Sequence, residues 1–313
     1  MTGGLLNRWL DSGALDLPLP GGGETARRWH RLAELAQVDV VAARLAEAHT
    51  DAVAIMAELG GLDTKPGQLW GVWAAESRDA VLSARGEQGA TMLNGTKVWC
   101  SGAGLCTHAL VTARLESGER GLFAVDLRHA GVRPLPSGWR NVGMAESDTR
   151  SVQFSNAPAV PVGLPGEYLS RPGFWHGAIG VAACWLGAAR SVAEPLYGRA
   201  ADDSVDPHAL AHLGAVDAAL AAGEAMLLSA ATAVDNDPFN RKGEAEMIAR
   251  RTRAVVETAV EEAITRTGHA LGPVPLCQDA QHAKRVADLT VYVRQSHAER
   301  DLEQLGRLAG AAR

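Results

Sequence analysis

The chain has 313 residues, of which 47% are hydrophobic and 21% charged, and its formal net charge is -6. This length is too great for one small core and predicts two or three packed units. The acidic balance provides no basic field for a nucleic-acid backbone or an anionic membrane surface, so we expect neither as a partner.

The four cysteines lack the paired spacing of a zinc site, and no secretory segment stands before them. We therefore expect reduced thiols in a cytoplasmic protein. The longest apolar run, residues 178–189, is shorter than the roughly 20 residues that cross a bilayer, so it predicts a buried helix.

The first patterned segment is helical. Apolar residues recur at helical spacing from Thr25 to Leu59, with charged residues between them. A triple glycine at residues 21–23 precedes this segment, and Gly60-Gly61 follows it as a stop signal. We predict a short N-terminal helical region over residues 1–65.

Short β-prone runs separated by turn residues follow and predict a middle β-domain, a barrel or sandwich, over residues 66–163. Asn94-Gly95 lies between two of these runs. This dipeptide is typical of a tight hairpin turn, because both central residues of such a turn need a positive φ. We therefore predict two strands joined at Asn94-Gly95, then a crossing of small residues and a third strand at residues 109–113.

The helical period returns after Pro172 and continues to the end of the chain. Breaks near residues 202–207, 235–238 and 268–275 divide this part into long alanine-rich helices, which predict an antiparallel four-helix bundle over residues 164–313. The predicted fold class is therefore α+β, with helices, a β-domain and a helical bundle in that order.

This order and several local motifs resemble the acyl-CoA dehydrogenase family. LNGTKVWCSGA, residues 93–103, is similar to the family's LNGxKxWITNA segment, and GMAESDTRSVQFSNAPAVP, residues 143–161, is similar to its exit from the β-domain. Residues 175–190 resemble the first long helix of the bundle. The resemblance covers almost the whole chain, with a shortened N-terminal helical domain, and it implies a homodimer or homotetramer that binds FAD.

The resemblance also assigns residues to the flavin. It places Trp99, Cys100 and Ser101 along the isoalloxazine ring, with the Ser101 hydroxyl beside flavin N5. The family's TEPxAGSD segment is represented here by residues 74–77, so Ala74 and Ala75 are assigned to the cofactor together with the preceding Trp73. Ala75 replaces the usual threonine, so a hydroxyl that would contact the cofactor is missing.

Two further residues are assigned to the adenine and pyrophosphate side. TRTGHALG, residues 265–272, stands where the family has a glycine-rich motif and keeps one glycine at Gly268. An equally open interpretation is that Gly268 and Gly272 end a helix before Pro273. Arg300 is a candidate charge-assisted donor to the pyrophosphate.

The chemistry implied by the resemblance requires a base. A carboxylate takes a proton from the α-carbon of an acyl thioester while flavin N5 takes a hydride from the β-carbon. The matching segment is RQSHAERDLEQLG, residues 294–306, in which His297 takes the place of the family's glutamate and Glu299 follows two residues later. Either side chain suits proton transfer near neutral pH, and helix capping by both is the open alternative.

The sequence therefore favours an FAD-dependent oxidoreductase that forms an α,β double bond in an acyl thioester of CoA or an acyl carrier protein, with an unidentified electron acceptor. A flavin monooxygenase or N-hydroxylase on the same fold is one alternative, because no glutamate is assured at the base position. A non-catalytic relative is another, because Ala75 and the shortened segment around it weaken the cofactor contacts.

Overall fold

The computed structural model describes residues 2–60, 62–87, 90–200, 202 and 204–311. Gly61, part of the predicted stop signal, and Asp203, in a predicted helix break, lie outside these residues. Contacts between Cα atoms divide the chain into two compact units. The first contains Met1–Leu17, Leu45–Arg140 and Ala145–Phe174, and the second contains Pro18–Arg44, Asn141–Met144 and Trp175–Arg313.

Three helices precede the sheet: α1 (Thr2–Asp11), α2 (Thr25–Val38) and α3 (Val40–Leu59). The predicted helical stretch is thus broken at Asp39. Its backbone is extended, and its carboxylate accepts a hydrogen bond from the Ala42 N–H at 2.7 Å, which caps the first turn of α3. Gly60, with a φ of 78°, ends α3.

In the described part of the chain, seven strands form one sheet: β1 (Trp70–Trp73), β2 (Leu82–Glu87), β3 (Ala90–Cys100), β4 (His108–Arg114), β5 (Arg120–Asp126), β6 (Val132–Pro134) and β7 (Arg150–Pro161). The order β4-β2-β3-β7-β5 closes into a barrel because β5 also pairs with β4. Pairing is antiparallel except for β1 with β4 and one residue pair between β2 and β4. The predicted β-barrel is confirmed.

Alternating side chains give the barrel two apolar faces. Leu93, Val111 and Phe154 lie in the inner cluster and are at most 2% exposed. Leu110 of β4 points the other way and packs in a second cluster with Ile55 of α3. This alternation is what successive side chains of a strand produce, and it seats α3 on the barrel.

The predicted hairpin at Asn94-Gly95 is wrong. β3 continues through both residues, which pair with Ser83 and Leu82 of β2. Gly95 has a φ of 123°, and a Cβ added to it would lie 2.1 Å from the Val81 carbonyl oxygen. The glycine therefore permits a close backbone approach at a bulge, and the true β2–β3 connection, residues 88–89, lies outside the described residues.

The remaining helices are α4 (Glu167–Ser170) in the first unit, and α5 (Gly173–Arg199), α6 (Pro207–Asn236), α7 (Ala245–Leu271), α8 (Val274–Gln278), α9 (Ala280–Tyr292) and α10 (Glu299–Ala311). The three predicted breaks are confirmed, and a helical region follows the barrel. In the second unit, a Cβ on Gly187 of α5 would lie 2.0 Å from the Ala33 carbonyl oxygen of α2. Glycine thus lets α2 and α5 cross closely.

One helix within the described ranges, α6, is long and apolar enough by composition to cross a bilayer. Buried residues along it, including Val216, Leu220 and Val234, belong to the core of the second unit. A core helix of a bundle passes the same length and composition test.

Candidate functional site

The end of β3 presents an exposed aromatic side chain. Trp99 is 64% exposed and has a φ of 59°, which is uncommon for a bulky residue. The pairing of β3 with β7 shifts register between Lys97 and Cys100, so a bulge turns the indole out of the barrel. A tryptophan normally buries most of its surface, and this free ring face suits stacking against a flat ligand.

Three hydroxyl groups form a chain beside this tryptophan. Ser101 Oγ lies 2.9 Å from Thr149 Oγ1, which lies 2.8 Å from Ser147 Oγ. Ser147 is 2% exposed, whereas Ser101 and Thr149 are partly exposed. The chain therefore runs from the interior of the first unit to its surface.

Backbone hydrogen bonds fix the turn that carries Ser101. The Gly102 N–H donates to the Ser147 carbonyl at 2.7 Å, and the Ala103 N–H donates to the Asp148 carbonyl at 3.2 Å. The Asp148 carboxylate accepts from the Gly104 N–H at 2.8 Å. The segment around residue 148 is therefore part of the site, although the sequence alone did not indicate Ser147 or Thr149 as site residues. The signal lay in the quoted exit motif, but nothing local links it to residues 46–48 positions earlier.

Trp73 and Cys100, two of the predicted cofactor residues, have buried side chains. Trp73 is 2% exposed, and its indole N–H donates to the Ser101 carbonyl at 2.9 Å. Cys100 is fully buried, and burial raises the pKa of its thiol. Trp73 thus supports the backbone of Ser101 from inside. The prediction that Trp73 and Cys100 contact the cofactor is wrong, because both residues are buried in the barrel.

Ala74 and Ala75 lie in the loop after β1, Ala74 partly buried and Ala75 exposed. An ion pair between a buried lysine and a partly exposed glutamate anchors this loop. The Lys97 ammonium, on a side chain 4% exposed, donates to the Glu76 carboxylate at 2.9 Å and to the Thr112 carbonyl at 2.8 Å. Burial opposes ionisation of Glu76, but the hydrogen bonds and charges around it outweigh burial and hold its pKa below the ordinary value.

The predicted catalytic residues lie at the start of α10 in the second unit. His297 is exposed. Its backbone N–H donates to the Asp301 carboxylate at 3.1 Å, and its Nδ1 lies 3.7 Å from the same oxygen. Asp301 also pairs with Arg250 at 2.9 Å. Asp301 therefore holds the backbone of His297, while the imidazole is exposed and lies beyond hydrogen-bond distance of this carboxylate.

Glu299 is the first residue of α10, and its side chain is exposed, as is that of Arg300. An acidic residue in the first turn stabilises a helix, so this position agrees with the capping interpretation of Glu299. A more buried carboxylate lies nearby within the same unit. Glu257 of α7 has a side chain 16% exposed and accepts a hydrogen bond from the Ser296 hydroxyl at 2.6 Å.

Gly268 lies inside α7 and has open space where a Cβ would stand. Gly272, with a φ of 66°, ends that helix instead. The Gly272 N–H donates to the Gly268 carbonyl at 2.9 Å, so helix termination occupies that carbonyl.

Two surface cavities of the second unit contain none of the predicted site residues. One, of about 670 Å³, is lined by residues that include Arg190, Tyr197 and Asp217. The other, of about 470 Å³, is lined by residues that include His176 and Lys242. In the first of these cavities the Tyr197 hydroxyl donates to the Asp217 carboxylate at 2.9 Å and is not free for a ligand, whereas Trp99 at the end of β3 is 64% exposed, so the end of β3 is the better candidate for a planar cofactor.

The comparisons with known proteins agree with this fold. The family model of the acyl-CoA dehydrogenase middle domain matches residues 74–157. No curated protein sequence matches the chain significantly.

Solved structures match nearly the whole chain. Methanesulfinate monooxygenase MsuC from Pseudomonas fluorescens has a TM-score of 0.80 at 20% identity, over 96% of this chain and 88% of that one. FMN-bound TdsC from Paenibacillus sp. A11-2 has a TM-score of 0.80 at 18% identity, and the match covers 100% of this chain and 96% of that one. A nitrososynthase from Micromonospora carbonacea var. africana has a TM-score of 0.80 at 17% identity, and the match covers 96% of this chain and 88% of that one. At these identities the likeness establishes the fold.

Proposed function

We propose that the chain, which has the fold of acyl-CoA dehydrogenases and matches their middle domain over residues 74–157, is a flavin-dependent oxidoreductase. The observation that carries the proposal is the exposed indole of Trp99 next to the partly exposed Ser101 hydroxyl. A flavin offers a planar ring for the indole and ring-edge nitrogen and oxygen atoms for the hydroxyl, so these residues fit it. Trp99 and Ser101 would hold the ring, and the buried Cys100 between them anchors this segment in the barrel core.

We propose FMN as the sufficient cofactor and FAD as the alternative that binding must test. Recognition of the adenine half of FAD would rest on Gly268 and Arg300. Gly268 is inside a helix and Arg300 is exposed, so neither forms a prepared subsite within the second unit. The related structure of TdsC was solved with FMN.

The proposed reaction transfers one oxygen atom to a small organic molecule. A bound reduced flavin supplies two electrons to O₂, after which one oxygen atom enters the substrate and the other leaves as water. This reaction needs no base that removes an α-proton, and the predicted base position holds His297 with an exposed Glu299. His297 is the proposed proton donor and acceptor.

Isotope incorporation tests this reaction. Reduced FMN and the purified protein are mixed with ¹⁸O₂ and a panel of small sulfur compounds, amines and aromatic compounds, and products are analysed by mass spectrometry. We expect one labelled oxygen atom in at least one product, and less of it with His297→Asn. Hydrogen peroxide as the sole oxygen product throughout would exclude the proposed reaction.

The second candidate is dehydrogenation of an acyl thioester of CoA or an acyl carrier protein. Two observations favour it: the match of residues 74–157 to the acyl-CoA dehydrogenase middle domain, and the partly buried carboxylate of Glu257. Anaerobic bleaching of the flavin by a saturated acyl thioester would favour this candidate, with its dependence on Glu257→Gln as the check. A protein that binds no flavin would instead be a non-catalytic relative.

We further propose that the protein works in the cytoplasm as a homodimer or homotetramer, without nucleic acid or membrane as a partner. Light scattering on the purified chain measures the number of subunits. If the protein were a monomer that still bound flavin, the proposed oligomer would be wrong and the proposed cofactor would stand.

A further inference from the structure

The hydroxyl groups of Ser147, Thr149 and Ser101 form a row of hydrogen bonds in which each donor can be assigned. Each hydroxyl has one proton to donate and two lone pairs that accept. Within the described residues, Ser147 Oγ has one side-chain partner, Thr149 Oγ1 at 2.8 Å, and its residue is 2% exposed. The other end of the chain, Ser101, is partly exposed.

Burial decides which way the protons point. A buried hydroxyl that leaves its proton unpaired loses a full hydrogen bond to water, whereas an oxygen that donates and leaves a lone pair unused loses less. Ser147 therefore donates to Thr149. Among the described side chains, Ser101 Oγ at 2.9 Å is then the acceptor left for the proton of Thr149.

This order leaves the proton of Ser101 free to point outward. The backbone of the same residue is held in place, because its carbonyl accepts from the Trp73 indole and its N–H donates to the Trp99 carbonyl at 3.1 Å. A hydroxyl that accepts one hydrogen bond is polarised and becomes a better donor to the next group. The buried Ser147 hydroxyl thus determines, through Thr149, that the Ser101 hydroxyl is a hydrogen-bond donor.

We propose that Ser147 and Thr149 are positioning residues that make the Ser101 hydroxyl a dedicated hydrogen-bond donor to an acceptor on the bound flavin. The proposal rests on the proposed flavin function and deepens it. The acceptor is a ring-edge nitrogen, and N5 of the oxidised flavin is the atom to test.

A flavin analogue without that acceptor separates this role from general structural support. In 5-deaza-FMN a C–H replaces N5, so a donor at Ser101 loses its partner while the ring keeps its shape. Calorimetric titration gives the dissociation constants of FMN and 5-deaza-FMN, and their ratio measures the hydrogen bond. For the unaltered protein we expect FMN to bind about threefold to tenfold more tightly, the range of one net hydrogen bond.

Four variants locate the origin of this preference. Ser101→Ala is expected to abolish it, and Thr149→Val and Ser147→Ala to reduce it toward unity. Thr149→Ser, which keeps the hydroxyl, is expected to preserve it. Ser155→Ala, on the exposed side of β7, is the matched control and should leave the ratio unchanged. Circular dichroism checks the fold of each variant, and Ser147→Ala decides if Thr149→Val does not fold.

The outcomes separate this inference from the function on which it rests. If Ser101→Ala loses the preference while Thr149→Val and Ser147→Ala keep it, the positioning role is refuted and the flavin site stands. If FMN and 5-deaza-FMN bind equally to the unaltered protein, the donor role of Ser101 is refuted. If neither ligand binds, the proposed function and the inference fail together.

Discussion

Trp99, Cys100 and Ser101 are consecutive residues with three different environments. Trp99 is exposed, Cys100 is fully buried and Ser101 is partly exposed. Cys100 is the last residue of β3 and packs in the barrel core, and Ser101 follows it in a turn. The bulge before Cys100 and the positive φ of Trp99 add the outward turn that frees the indole. The buried Cys100 thus anchors Trp99 and Ser101 to the barrel core.

His49 of α3 makes the stability of the first unit depend on pH. It is 5% exposed, and its Nδ1 accepts a hydrogen bond from the Trp70 N–H at 3.2 Å, which requires an unprotonated nitrogen. Burial lowers the pKa of His49 to about 4, with the charge of Asp16 partly opposing this shift. The pKa of His49 in the folded protein lies below the ordinary 6.5. As the pH falls, His49 is therefore protonated in the unfolded chain before it is protonated in the folded protein.

The stability contributed by neutral His49 is complete above the unfolded pKa and is lost as the pH falls from there toward the folded pKa. We expect the free energy of unfolding to fall by about 3 kcal/mol from this residue between about pH 7.5 and about pH 4. Urea unfolding of the unaltered protein and of His49→Gln measures it, since glutamine accepts the same bond without titrating. Equal pH slopes for the two proteins would contradict the assignment.

The Lys97–Glu76 pair predicts unequal costs for its two halves. Glu76→Ala leaves the Lys97 ammonium buried on a side chain 4% exposed, and we expect it to lower the free energy of unfolding by about 3 kcal/mol. Lys97→Met leaves Glu76, whose side chain is 33% exposed and has Arg120 at 4.0 Å, and should cost about 1 kcal/mol.

Thermal and urea unfolding compare these two variants with Arg85→Met, which removes an exposed pair with Glu116 and should change stability by less than about 0.5 kcal/mol. If Lys97→Met lost more unfolding free energy than Glu76→Ala, then Glu76, and not Lys97, would be the charge that depends more on its partner.

At the scale of elements, the bulge in β3 predicts a sharp contrast between two glycines of one hairpin. Gly95→Ala places a methyl group against the Val81 carbonyl at a φ of 123°, so we expect a loss of about 3 kcal/mol or failure to fold. Gly86→Ala in β2 meets open space and should leave stability unchanged or raise it slightly. Unfolding midpoints of both variants measure the contrast, and similar values would mean that the bulge tolerates a side chain.

Periodicity in the sequence predicts the order of the elements, because burial of one face needs apolar residues at fixed spacing along a helix or strand. The Asn94-Gly95 dipeptide predicted a turn for a local reason, a positive φ. The structure uses that φ for a contact with Val81, a residue that local sequence does not place beside it. Sequence therefore located the special backbone position and assigned it the wrong role.

The candidate site divides in the same way. Motif similarity placed Trp99 and Ser101 at a strand end, and both side chains have exposed surface there. It could not distinguish them from Trp73 and Cys100, because burial depends on how the whole barrel closes. Thr149 and Ser147 were missed, since the contact of Thr149 with Ser101 spans 48 positions and appears only when β3 and β7 pair, and Ser147 joins it through Thr149.

For the whole molecule, contacts group the chain differently from its sequence pattern. Residues 18–44 belong to the N-terminal helical region by periodicity but to the second unit by contacts. The reason is visible at Asp235 near the end of α6, whose carboxylate accepts hydrogen bonds from the Thr25 N–H at 3.1 Å and the Gly23 N–H at 3.0 Å. A distant carboxylate thus stabilises the start of α2.

The central claim is that the exposed face of Trp99 holds a flavin. Calorimetric titration with oxidised FMN, in the unaltered protein and in Trp99→Ala, tests it directly, with Leu164→Ala as a control at another exposed apolar side chain of the first unit. The account predicts one FMN per chain, about tenfold weaker binding by Trp99→Ala and no change for Leu164→Ala. Equal affinity in all three proteins, or no FMN binding to any, would contradict it.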